Sequence, residues 1–278
     1  MEIRIIPLVW LLFSNTIEAQ SNSYPWLSNY EPANSIVNRI ILPEGYERIQ
    51  TNPGSFANWL QHLPLKAGCP PVYLFNGKKK SNQTAHAAVV DIDVGNRDLQ
   101  QCADAVIRLR AEYLFSLGDI QAIHFNFTSG HRAELSKWFQ GFRPEVKGNQ
   151  VALTMSANAD SSYRNFKQYL QTVFIYAGSY SLGRELVAVR EISQMKIGDV
   201  FIQGGFPGHA VMVVDMAVHQ KTGENIFLLV QSYMPAQEIH ILKNPQNPQL
   251  SPWYSENFGD ILYTPEWIFQ KKDLKKFR

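Results

Sequence analysis

Apolar and polar positions alternate with two different rhythms along this chain. The segment AHAAVVDIDVGN is an almost unbroken apolar run that predicts a buried strand from His86 to Val94, closed by Gly95-Asn96. RDLQQCADAVIRLRAEYLFSL follows, with Leu99, Cys102, Val106, Leu109 and Tyr113 spaced by threes and fours along one helical face. Asn96 or Asp98 is a candidate cap for that helix, and Gly118-Asp119 ends it. DSSYRNFKQYLQTVFIYAG predicts a second amphipathic helix that turns Phe166, Tyr169, Leu170, Val173 and Phe174 inward.

The last third changes to short apolar runs broken by turns. DVFIQ, HAVMVVDMAV, IFLLVQSYM and EIHIL read as four strands, separated by GGFPG, by residues 220–225 and by Met234-Pro235-Ala236. Strands in this order form an antiparallel meander, and helices earlier in the chain are placed to cover one of its faces. The expected class is α+β. PPVYLF and IQAIHFNFTSG predict further strands, and HRAELSKWFQGFRPEV opens as a short helix. Residues 20–65 read as irregular, with a short helix near Gly54–His62, and SYSLGRELVAVREISQM reads as a connector. No repeat or linker divides the chain, so one domain over residues 20–278 is expected.

Composition adds location rather than function. The 278 residues are 45% hydrophobic and 18% charged with a formal net charge of +2, which supplies a core but no electrostatic case for nucleic acid. Arg4, the apolar IIPLVWLLF and Ala19 match a secretory signal peptide over residues 1–19, so the chain is expected to be exported, periplasmic or secreted. No later run has the ~20 apolar residues of a membrane span. Export makes a disulfide between Cys69 and Cys102 the plain expectation, worth about 3–4 kcal/mol in the chain-entropy model. The alternative is a free, reactive Cys102, because a helix N-terminus favours thiolate.

Chemistry then centres on three residues. Reflecting His209 across the turn near Thr222 lands near residue 235, and Gln231, Ser232, Tyr233 and Gln237 are the polar groups in reach. A histidine facing a polar side chain is an oriented base, and Cys102 is the candidate nucleophile it would serve. Cys102 and His209, with one of these four polar groups, are therefore the candidate catalytic set. Asp91 and Asp93 read as strand-end caps, and Arg108, Arg110 and Glu112 as surface or ion-pairing residues. Trp138, Phe139 and Phe142 read as core, and His124, His131 and His240 as scattered, with no metal-ligand spacing. No cofactor or metal is expected. Asn82 and Asn126 stand in glycosylation acceptor patterns, and the second falls in a predicted strand.

Cys102 on a helix, Gly198-Asp199-Val200 on a strand and His209 opening AVMVVD together resemble the NlpC-type papain-like cell-wall peptidases. The resemblance covers approximately residues 96–242. It implies a papain-like sheet-and-helix core, Cys102 as nucleophile, His209 as base, Gln231 as third residue, and peptidoglycan peptides as substrate. The runs DLQQCADAVIRLRAEYL, FTSGHRAELSKWFQGFRP, GHAVMVVDMA and VQSYMPAQEIHILKNP resemble bacterial secreted proteins grouped as domain of unknown function 4846. That likeness spans nearly the whole mature chain and implies a single unit without an assigned activity. Two function classes follow: a thiol hydrolase or acyltransferase, or a non-catalytic envelope scaffold that keeps the same fold.

Overall fold

The computed structural model describes residues 23–278; the expected leader, residues 1–19, lies outside the described residues. Nine strands form the main sheet. Seven follow one path: His86–Val89, His240–Leu242, Asn225–Gln231, His209–His219, Val200–Gln203, Leu274–Lys276 and Val187–Ala188. Tyr46–Arg48 pairs with the far end of the His209 strand, and Tyr254–Ser255 pairs with the Asn225 strand. Every pairing in the sheet is antiparallel. The four-strand meander read from the last third is present in its expected order, and the mixed helix-and-sheet class holds.

The meander strands are apolar on both faces because both faces are covered. Val200, Ile202, Ala210, Met212, Ile226, Leu228 and Ile241 pack in one core with the helices, around Val106, Leu109 and Tyr169. Phe201, Val211, Val213, Phe227, Leu229 and Leu242 pack in a second core, which the C-terminal segment closes with Tyr254, Leu262, Phe269 and Leu274. The expectation of helices over one face is met. The other face is covered by a hairpin of Ile261–Tyr263 and Ile268–Gln270, an element the hydrophobic pattern did not signal.

The Cys102–Ser116 helix crosses the first core with nearly every residue buried. It starts later than the pattern predicted. Gln101 is the residue before it, and the Asp104 carboxylate accepts the Gln101 N–H at 3.1 Å. Asp98 does not cap this helix; its Oδ1 accepts Ala236 N–H at 2.7 Å and the Gln101 amide at 3.0 Å. Arg108 and Glu112 are not surface residues but a buried pair at 2.6 Å. Gly118 follows the helix with φ +70°, the left-handed turn that a glycine adopts without strain.

The other elements match in part. The Tyr163–Tyr176 helix turns the expected five side chains inward. The presumed connector holds a helix, Ser179–Glu185, and HRAELSKWF gives the Leu135–Phe139 helix before a hairpin of Phe142–Lys147 and Gln150–Met155. PPVYLF forms only isolated bridges, Tyr73 to Lys79 and Leu74 to Gln237. Among the described residues, no helix is long and apolar enough to cross a membrane.

Candidate functional site

Cys102 is the first residue of its helix, which places its thiol at the end where backbone N–H groups are unpaired. Cys102 Sγ lies 3.9 Å from Gly208 O, the residue immediately before His209. The N–H groups of Cys102, Ala103 and Ala210 also act on the sulfur, so it meets the backbone on both sides of His209. No disulfide forms. Both cysteines are free, with Cys69 exposed and its Sγ donating to Ala87 O at 3.3 Å. The expected pairing fails for a topological reason: Ala87 lies on the edge strand, separated by two intervening strands from the His209 strand that receives Cys102.

His209 opens the long strand and is 1% exposed. The register of the two long strands shifts at a bulge between Leu228 and Leu229, and Val230 then pairs with Met212. Continued, that register sets His209 across from Tyr233, and the two rings stand 4.7 Å apart. Gln231 is the diagonal neighbour, within side-chain reach. The His209 Nε2 to Gln231 Oε1 distance is 2.9 Å, so the predicted base and its orienter are in contact. Trp267 at 5.3 Å and Phe269 at 5.8 Å enclose the ring from the C-terminal hairpin.

The thiol and the ring are brought near through backbone, and no hydrogen bond joins them. A cleft of about 320 Å³ is lined by Cys102, Asp104, Ser179, Phe206, Gly208 and Met234 among others, and His209 is not part of its lining. Gly204 and Gly208 let the GGFPG turn come this close. A Cβ on Gly208 would sit 2.2 Å from Ser179 Oγ and 2.6 Å from Gln203 O.

Electrostatics hold both groups neutral. Burial pushes the Cys102 thiol up to about 11, and the Asp104 carboxyl adds to the rise. The helix-end N–H groups pull downward, as the sequence suggested, but desolvation outweighs them. Burial also pushes His209 down to about 4, with the Gln231 hydrogen bond opposing in part. Asp104 lies beside the thiol with Oδ1 buried and unpartnered, and burial holds its carboxyl well above the usual range.

Sequence reasoning missed the groups behind Gln231. Its Nε2 donates to Glu266 Oε2 at 2.6 Å and lies 3.3 Å from His240 Nε2. Glu266 also pairs with the buried Lys80. His240, read as scattered, is therefore part of this cluster, and its ring stands 6.0 Å from that of His86. The available signal was periodicity: His240 opens EIHIL as His209 opens HAVMVVD. Asp199 of the Gly-Asp-Val motif serves the fold, its carboxylate accepting Lys196 N–H at 2.8 Å in the turn before its strand. Asp93 binds Lys167 and Arg108 and caps nothing. Trp138 and Phe139 are core.

A helix laid on an antiparallel sheet, with a thiol at its first residue and a buried His–Gln pair at adjoining strand ends, defines a mixed α/β protein with a candidate thiol site. The family model described as domain of unknown function (4846) matches residues 36–276, and the chain belongs to that family. No curated protein and no solved structure matches it.

Proposed function

We propose that the chain is a thiol hydrolase or acyltransferase acting on amide bonds. Cys102 is the nucleophile, His209 the general base and Gln231 the residue that orients it. The observation that carries this reading is the seating of Cys102 Sγ against the backbone that flanks His209, with Cys102 in the lining of a 320 Å³ cleft. In the reaction, Sγ attacks the amide carbon as its proton passes to His209 Nδ1. The same proton then goes to the leaving amine, giving a thioester. Water, deprotonated by Nδ1, attacks that thioester, the acid leaves, and the thiol recovers its proton. The N–H groups of Cys102, Ala103 and Ala210 face the sulfur and stabilise charge developing there. The chemistry requires Nδ1 and Sγ to close to hydrogen-bond reach when substrate enters, as catalytic contacts commonly tighten on binding.

The cleft also sets a substrate preference. Asp98 and Asp104 line it, and among the described residues no lysine or arginine does. Acyl donors that are neutral or carry an amino group are favoured over anionic ones. For a chain read as exported and similar to the NlpC-type peptidases, cell-wall peptides are the first amide polymer to test.

A second reading, a binding scaffold without turnover, is favoured by the raised thiol and the absence of a bond between thiol and ring. Native alkylation by iodoacetamide separates the two. Under the hydrolase reading, Cys102 reacts in the folded chain and His209→Ala removes that reaction, while Cys69 reacts in both. A peptide-amide panel including cell-wall peptides should be turned over by the parent and not by Cys102→Ala. Turnover that survives Cys102→Ala sinks the assignment, and a Cys102 inert until unfolding supports the scaffold.

A further inference from the structure

We propose that Glu266 and His240 are positioning residues that fix the tautomer of His209, leaving Nδ1 bare and aimed for proton transfer. The inference deepens the reading above and rests on it for its catalytic meaning. Its structural content stands alone, because the donors and acceptors can be assigned one by one.

The assignment starts at the outer end of the cluster. His240 Nδ1 lies 2.8 Å from Glu238 O, and a carbonyl only accepts, so Nδ1 carries the His240 proton. Burial pushes His240 down to about 3, so the ring is neutral and its Nε2 is a lone pair. That lone pair, 3.3 Å from Gln231 Nε2, takes one amide hydrogen. Glu266 is the second fixed point. Its Oε1 accepts from the Lys80 ammonium, and Oε2 takes the other amide hydrogen at 2.6 Å.

Both hydrogens of the Gln231 amide are then committed, and its oxygen must face His209 Nε2 at 2.9 Å. An amide oxygen only accepts, so Nε2–H is the protonated nitrogen of the neutral His209 ring. Nδ1 is left with its lone pair, and it makes no hydrogen bond within the described residues. Turning the Gln231 amide over would set its oxygen against a carboxylate and a lone pair together. Such an arrangement loses two hydrogen bonds in a buried site, each worth about 1 kcal/mol or more.

The remaining groups around His209 do not compete for the assignment. Tyr233, Trp267 and Phe269 meet the ring through their π-faces and edges. Glu266 and His240 reach it only through Gln231, so they act by position. A histidine whose Nδ1 carried the proton would have no lone pair to offer a thiol at that atom.

The experiment reads the tautomer directly. Two-bond ¹H–¹⁵N spectra of the full mature chain at pH 7 distinguish a protonated ring nitrogen from a bare one without any substrate. The parent is expected to show His209 protonated at Nε2 and bare at Nδ1. Glu266→Gln and His240→Leu each remove one obligate acceptor and are expected to mix the two tautomers, whereas Lys80→Met leaves the Glu266 acceptor and keeps the parent pattern. In the same samples, Glu266→Gln is expected to slow Cys102 alkylation by roughly tenfold or more, within the range for loss of a positioned base.

A parent His209 protonated at Nδ1 overturns the proposal, whether or not any variant folds. So does an unchanged tautomer in a folded Glu266→Gln chain. The expected tautomer with an inert Cys102 would instead refute the hydrolase reading and leave the clamp in place.

Discussion

Two buried polar networks flank the Cys102 helix, and they resolve their charges in opposite ways. Around Arg108 the arrangement is an ion cluster, with Glu112 Oε2 and Gln100 Nε2 left buried and unpartnered. The guanidinium donates to Glu112 at 2.6 Å and to Gln100 at 3.0 Å, and Asp93 at 3.3 Å and the Tyr163 hydroxyl complete its shell. Lys167 neutralises Asp93 from outside. Around His209 the ring is neutral, its one proton is committed to Gln231, and the only ion pair stands two residues back at Glu266 and Lys80. The first network spends its donors on holding the helix to its neighbours. The second leaves one ring nitrogen of His209 without a hydrogen bond among the described residues. What separates the two is the kind of group left unpaired: a carboxylate oxygen and an amide nitrogen beside Arg108, a neutral ring nitrogen at His209.

The comparison breaks most visibly at the base. His209→Ala should slow Cys102 acylation by roughly 10²–10⁴-fold, the usual loss for a general base. A change below tenfold, measured by single-turnover acylation with a peptide amide, would place the His209 cluster in the same structural class as the Arg108 cluster.

Arg108→Leu should do the reverse. It strands the Glu112 carboxyl at a site with no exposure, and a broken buried pair costs roughly 3–5 kcal/mol. Denaturant unfolding should show that loss, while the alkylation rate of the surviving folded fraction stays at the parent value.

How much of this contrast the residues announced depends on the range of the interactions. The meander was readable because strands buried on both faces are continuous apolar runs, and HAVMVVDMAV and IFLLV need only their neighbours to be recognised. Gln231 was readable as one of four polar groups in reach because hairpin reflection is a local rule, and the bulge at Leu228 shifted the register without removing the pair from diagonal reach. The start of the Cys102 helix was not readable. Asp98 has the chemistry of a cap, but Ala236, far along the chain, takes its carboxylate instead. Glu266 was hidden for the same reason: TPEW looks like an ordinary turn, and only the folded hairpin shows that it ends against Gln231. The cost of burying the thiol was hidden too, since a helix N-terminus predicts a lowered pKa when the sequence cannot say how deeply it is covered.

A smaller effect tests the neutrality of the His209 ring. The folded pKa of about 4 lies below the unfolded reference of ~6.5. Above ~6.5 the ring is neutral in both states and its contribution to stability is complete. As pH falls below ~6.5 the unfolded chain takes up a proton that the fold refuses until about 4, so stability is lost across that window at about 1.4 kcal/mol per pH unit. Carboxyls whose folded pKa is raised, Asp199 to about 6 among them, bind protons first in the fold and oppose this trend. The clean measurement is therefore a difference. His209→Asn should flatten the decline in unfolding free energy between pH 6.5 and pH 4 relative to the parent, and parallel curves would mean that the buried ring is not neutral.

The smallest effect lies at Asp104, the carboxyl beside the thiol that pairs with no cation among the described residues. Asp104→Asn keeps an oxygen to accept the Gln101 N–H, so the helix start is retained. It removes the charge that helps raise the thiol, while the larger cause, burial, is unchanged. The Cys102 pKa should therefore fall from about 11 by less than about one unit, read as a shift in the pH profile of alkylation. Lost desolvation would move it further, and the two are separable because opening the site would also raise the alkylation of Cys102 in a His209→Ala background. A profile that does not move at all would mean that the carboxyl is already protonated throughout the titration. Asp104 would then be a neutral hydrogen-bonding group in the cleft, in contrast with Glu112, where Arg108 opposes the rise that burial causes.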